Sequence, residues 1–98
     1  MLTWKRKPQE ASGTYFFSGK FLVTQGVQAS LTPEEILMIY HDVQARVKQE
    51  NGLDYLQVYE CTDGRKVWLI DQLDQQMIES GEFQPEDNHC TMLLPEEY

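Results

Sequence analysis

Leu53-Asp54-Tyr55-Leu56-Gln57-Val58-Tyr59-Glu60 leads through Thr62-Asp63-Gly64-Arg65 into Lys66-Val67-Trp68-Leu69-Ile70. Two runs rich in aromatic and branched residues flank an Asp-Gly pair, the signature of a tight hairpin. In the first run Tyr55, Gln57 and Tyr59 fall on one face, and Leu56 and Val58 on the other. Both faces carry apolar groups. That pattern suits a central strand covered on both sides or lined by tyrosines.

Upstream, Thr32-Pro33-Glu34-Glu35 has the form of a helix start. Thr32 can cap, Pro33 suits the first helical position, and Glu35 completes a capping box. Ile36, Ile39, Tyr40, Val43 and Val47 then recur at helical spacing, with Leu37 and Met38 widening the stripe. Asn51-Gly52 closes the element, with Gly52 suited to a left-handed cap. The expected helix runs over about 33–50. Further back, Lys20-Phe21-Leu22-Val23-Thr24 reads as a strand ended by Gln25-Gly26, and Thr14–Phe17 is β-prone but short. Residues 1–13, with Trp4-Lys5-Arg6-Lys7-Pro8 and Ala11-Ser12-Gly13, read as a basic, flexible arm.

Downstream, Asp71 can cap a short second helix over about 72–80, stopped by Gly81. An acidic loop surrounds Pro85, and Cys90–Leu94 reads as a last strand stopped by Pro95. The expected fold is α+β: a small antiparallel sheet of about four strands packed with one long and one short helix. It occupies residues 14–98 as one domain behind the arm.

The 98 residues carry 16 acids against 8 bases, a net charge of −8, with 41% hydrophobic and 11% aromatic residues. That apolar content is too high for a disordered chain. Residues 1–49 hold six bases and four acids; residues 50–98 hold two bases and twelve acids. No base follows Lys66. The longest apolar run, Ile36–Tyr40, falls far short of the ~20 residues of a membrane span. The basic N-terminus has no apolar stretch behind it, so no signal peptide is expected. A cytoplasmic location follows as the expectation.

Chemistry is sparse. His41, His89, Cys61 and Cys90 show no metal-ligand spacing. No cofactor, metal or catalytic residue is expected. A small enzyme would require those cysteines and histidines to converge in one cleft. The glycines sit as turn and cap residues, with no phosphate-cradling loop. Direct nucleic-acid binding would rest on Trp4–Lys7, with Tyr15, Phe16 and Phe17 as stacking groups, against a repulsive remainder. Protein binding suits the residues better, since spaced carboxylates can replace phosphates in a basic groove. Tyr55, Tyr59, Phe83, Met92 and Tyr98 are anchor candidates wherever exposed, although Tyr55 and Tyr59 read first as core.

Phe21-Leu22-Val23-Thr24-Gln25-Gly26-Val27 and Leu53–Tyr59 resemble the paired motifs of a small family encoded by phages and mobile elements of Gram-positive bacteria. Its second motif ends Gln-Val-Phe, where this chain has Tyr59. The tail Thr91–Tyr98 is similar to the ends of short reading frames on conjugative elements. The resemblance covers roughly residues 20–70 and implies no catalytic residue. It implies a setting in which small acidic proteins inhibit host defence, as anti-CRISPR proteins do. The first expectation is therefore a non-enzymatic inhibitor that occupies the basic nucleic-acid channel of a host protein, such as a type II CRISPR nuclease. Asp71, Asp74, Glu79, Glu82, Glu86 and Asp87 would carry the contact. The alternative is a structural or regulatory protein of the mobile element, acting as a homodimer or assembly subunit through an apolar face.

Overall fold

The chain alternates strands β1 (Trp4–Arg6) and β2 (Lys20–Val23), helices α1 (Gln25–Ser30) and α2 (Pro33–Glu50), and strands β3 (Leu56–Cys61) and β4 (Lys66–Asp71). A short helix α3 (Gln75–Glu79), strand β5 (His89–Leu93) and a 3-10 turn over Pro95–Glu97 complete it. The structure, a computed structural model, describes residues 3–73, 75–81 and 87–98. The fold class is α+β, as the sequence implies. The sheet has five strands in the order β1-β3-β4-β5-β2. It is mixed rather than antiparallel, because β2 lies parallel to β5 with Phe21 opposite Cys90 and Val23 opposite Met92.

The hairpin forms where the Asp-Gly pair places it. Leu56 pairs with Ile70, Val58 with Trp68 and Glu60 with Lys66. Gly64 takes φ +95°, a left-handed conformation that glycine adopts without strain. In α2 the capping box closes: Thr32 Oγ1 accepts from Glu35 N at 3.2 Å, and Glu35 Oε1 accepts from Thr32 N at 2.9 Å. Asn51, not Gly52, takes the left-handed C-cap at φ 54°, and Gly52 N donates to Val47 O.

The core lies between one face of the sheet and the two longer helices. Tyr59, Val67, Leu69, Cys90 and Met92 meet Val27 of α1 and Ile39, Val43 and Val47 of α2. Burying each large apolar side chain contributes roughly 1.5–3 kcal/mol, before the entropy of ordering the chain. Phe17, fully buried, sits at φ 50°, held by Gln44 Nε2 donating to its carbonyl at 2.6 Å.

Three expectations change. Residues 4–6 are no free arm: β1 is an edge strand paired to β3. Trp4 Nε1 donates to Glu35 at 2.8 Å and the Arg65 guanidinium lies 5.3 Å over its ring. Arg6 Nε donates to the buried Gln57 at 2.7 Å. These bonds, made by the residues that look like a basic tail, tie it down. After β2 the chain does not stop at Gln25-Gly26 but enters α1, because Thr24 Oγ1 accepts from Val27 N as an N-cap. Asp71 does not cap the second helix; it is the last residue of β4, and α3 starts only at Gln75.

Candidate functional site

Of the six acids expected to meet a partner, Glu79 and Asp87 are exposed. Asp71 is withdrawn from the surface, at 3% exposure. It points into the core beside Cys90, its partner in the β4–β5 register. Its carboxylate accepts from Phe17 N at 2.9 Å and Gln72 N at 3.0 Å. Burial pushes this carboxyl up to about 6, against the two N–H bonds and His89, which lower it. Asp74, Glu82 and Glu86 lie outside the described residues, as does Phe83. The bases are drawn elsewhere: Arg6, Lys7, Arg46, Arg65 and Lys66 pair with Glu50, Glu60, Asp42, Glu35 and Glu60. Glu35 is the most engaged of these acids. Its burial raises the carboxyl, but hydrogen bonds from Thr32, Trp4 and Arg65 outweigh that and hold it at about 2.

The cysteines and histidines are dispersed. Cys61 ends β3 beside the hairpin turn, whereas Cys90 lies near the start of β5, two strands away in the sheet. Both thiols are buried, and burial pushes Cys90 up to about 12, so it remains protonated. His41 is exposed on α2 and His89 opens β5. Among the described residues no three His, Cys, Asp or Glu side chains gather to hold a metal. No described helix is long and apolar enough to cross a membrane.

The feature that departs from ordinary patterning is the sheet face opposite the helices. A sheet with helices on one side normally turns polar side chains to the other. Here the outward positions of β3 and β4 carry Leu56, Val58, Trp68 and Ile70, all half-buried, with Glu60 and Lys66 only at the hairpin end. The register aligns them in two rows. One row runs Val58, Trp68, Leu93; the other runs Leu56, Ile70, Thr91, Leu22. None of Leu22, Leu56, Val58, Trp68 or Ile70 belongs to the helix-side core. Leu22 is 39% exposed, and the Tyr98 ring, 79% exposed, stands edge-on to Trp68 at 5.6 Å. Beside β3 the face dips into a cleft of about 230 Å³ lined in part by Pro8, Leu56 and Val58.

The two ends of this face differ in charge. At the hairpin end, Lys7 and Lys66 reach Glu60 at 3.3 and 4.0 Å, and the exposed Lys5 is Glu60's register partner. That is three bases around one acid. At the other end β4 closes on Asp71 and β5 opens on His89; in sequence the residues between them hold five acids and no base, of which Glu79 and Asp87 are described and exposed. Of the anchor candidates, Tyr59 and Met92 are core and Tyr98 is exposed. Tyr55 is 42% exposed, against the core reading, and packs on Tyr15 at 6.2 Å. Trp68 and Ile70 were not singled out as site residues by sequence. The available signal was apolar side chains at both parities of one strand, which fits a strand covered on both sides equally well.

Compared with known protein families, with curated proteins and with solved structures, the chain matches none.

Proposed function

We propose that this protein is a non-enzymatic protein-binding module that pairs with a second copy of itself through the open face of its sheet. The carrying observation is the double row of Leu22, Leu56, Val58, Trp68 and Ile70 on the face opposite α1 and α2. Contiguous apolar surface of this kind marks interaction sites, and Trp and Tyr are the side chains that anchor them. The charges favour a second copy as the occupant. A two-fold axis lying between the sheets and across the strands sets the lysine-rich end of each copy against the end of the other where β4 stops and β5 starts, beside the exposed Asp87. A partner with a uniformly basic or acidic face would match only one end.

Sedimentation velocity over a concentration series tests this. The wild type is expected as a dimer, and Val58→Lys and Trp68→Glu as monomers with unchanged helix content. A wild type that stays monomeric at every concentration overturns the proposal.

A second reading keeps the acidic surface as the contact, inhibiting a nucleic-acid-handling defence protein of a host by replacing phosphate in its basic channel. The run of acids after Lys66 supports it, through Asp74, Glu79, Glu82, Glu86 and Asp87. Asp71, being buried, has no part in it. Salt separates the two readings: a contact between charges weakens as salt rises, and an apolar interface persists.

A further inference from the structure

β1 is an end strand of the sheet, so one side of its backbone is not used by the ladder. Its bonds to β3 fall at alternate residues: Thr62 N donates to Thr3 O, and Lys7 N donates to Val58 O. Lys5 stands opposite Glu60 between them. In an antiparallel ladder the intervening residues turn their N–H and C=O groups away from the partner. The backbone groups of Trp4 and Arg6 therefore face outward.

Alongside that edge runs a groove of about 430 Å³ between β1 and α2. Trp4, Met38 and Ile39 supply its apolar lining, and Met38 is half exposed. Its charged side chains are Arg6 and Arg46 against Asp42; Lys5, Glu60's register partner, turns its side chain to the opposite face of the sheet. Asp42 is engaged twice, accepting from the Tyr59 hydroxyl at 2.6 Å and facing Arg46 Nε at 3.9 Å. The groove thus carries two arginines against one lining carboxylate in a molecule of net charge −8. Arg6 donates Nε to Gln57 and Nη1 to Glu50, while its Nη2 is buried with no acceptor among the described residues. Buried donors are ordinarily satisfied, so this one is an exception.

We infer that this groove binds an extended acidic peptide, which adds a strand to the outer edge of β1. Backbone pairing to Trp4 and Arg6 supplies affinity that does not depend on sequence, and the groove selects side chains at alternate positions. An apolar side chain lies on Met38 and Trp4, and a carboxylate meets Arg46 and Arg6. The same features explain why the edge does not pair with another β1. The strand is three residues long, basic, and followed by Pro8 at the end of its pairing, devices that keep exposed edges from joining one another. A basic edge repels its own copy and admits an acidic strand. This site is separate from the open sheet face and does not depend on what covers that face.

The test uses the full chain and a synthetic library of short blocked peptides in which acidic and β-branched residues alternate. A matched library with lysine in place of the acids, the acidic library N-methylated at alternate bonds, and oligothymidylate complete the set. Amide chemical shifts locate any binding. The acidic peptides are expected to shift Trp4, Lys5, Arg6 and residues 38–46, and the lysine and N-methylated libraries to leave them in place. Met38→Glu, at an exposed position, and Arg46→Glu, at a half-buried one, should each weaken binding about tenfold or more, the scale of one charge-assisted contact. Unchanged thermal unfolding would show that both variants keep the fold. The inference is overturned if no peptide binds, if the lysine library binds equally, or if the shifts fall on the outer sheet face. It is also overturned if oligothymidylate alone produces the shifts at β1.

Discussion

Asp71 holds two opposed tendencies in one carboxyl. The Phe17 and Gln72 N–H groups favour its charge, and burial opposes it more strongly, leaving it at about 6 against an ordinary 3.8. Between those two values the folded protein binds the proton more tightly than the unfolded chain does. This group therefore adds stability as pH falls from above 6 toward 4, and the gain is lost as pH rises back through 6. The size is about 3 kcal/mol. Asp71→Asn cannot take up that proton. In urea unfolding, the wild type should gain on the variant by about that amount between pH 7 and pH 4; parallel pH profiles would contradict the assignment. Glu35 behaves in the opposite sense. Its carboxyl, held at about 2, stabilises the fold above the ordinary carboxylate value of 4.5 and ceases to do so as pH falls through 2. Glu35→Ala removes the acceptor shared by Thr32, Trp4 and Arg65, and should cost about 2–3 kcal/mol in urea unfolding at neutral pH. Neither role could be read in advance. Glu35 shows its capping partner three residues away, but Trp4 and Arg65 reach it only through tertiary structure, and nothing local says that Asp71 faces inward.

Elements were legible in proportion to how locally they are determined. α2 carries its own start, stripe and stop within residues 32–52, and the hairpin carries its own turn, so both stand where the sequence reading puts them. α1 is six residues long, too short for a periodic stripe to show, and Thr24, its cap, extends the strand pattern of Lys20–Val23. β1 has the composition of a solvated tail, and the partners that fix it lie on β3 and α2. The parallel β2–β5 pairing joins the two ends of the chain, and no run of residues announces it. Two substitutions test these assignments. Thr24→Ala should destabilise the fold by about 1 kcal/mol through loss of the α1 cap, and more if the Thr24 hydroxyl bond to Glu97, at 2.7 Å, also counts. Gly13→Ala should be the more severe change, because its Cβ would collide with the Leu53 backbone. An unchanged unfolding midpoint in Gly13→Ala would contradict the packing of residues 13–17 against Leu53.

At the scale of the whole molecule, the layers and the charges lead to the same conclusion. α1 and α2 cover one face of a five-stranded sheet, and the other face carries a double row of half-buried apolar side chains among the described residues. The sequence carried half of this: it showed apolar residues at both parities of the β3 strand, and it could not show which face the helices would leave open. The acidic bias was plain from composition, but not which acids face outward: of the six expected to meet a partner, Asp71 is inside. Each copy carries −8, so two copies associate only where local charges oppose and apolar surface is buried between them. Raising salt should therefore leave the proposed dimer intact. The most direct measurement is isotope-filtered NMR on a mixture of labelled and unlabelled protein, which sees only contacts between copies. The expected contacts join the Trp68 ring and the Val58 methyls of one copy to Leu22, Leu56 or Ile70 of the other. Contacts confined to Leu37 and Met38 on α2, or no contact between copies at all, would contradict the open sheet face as the surface through which this protein acts.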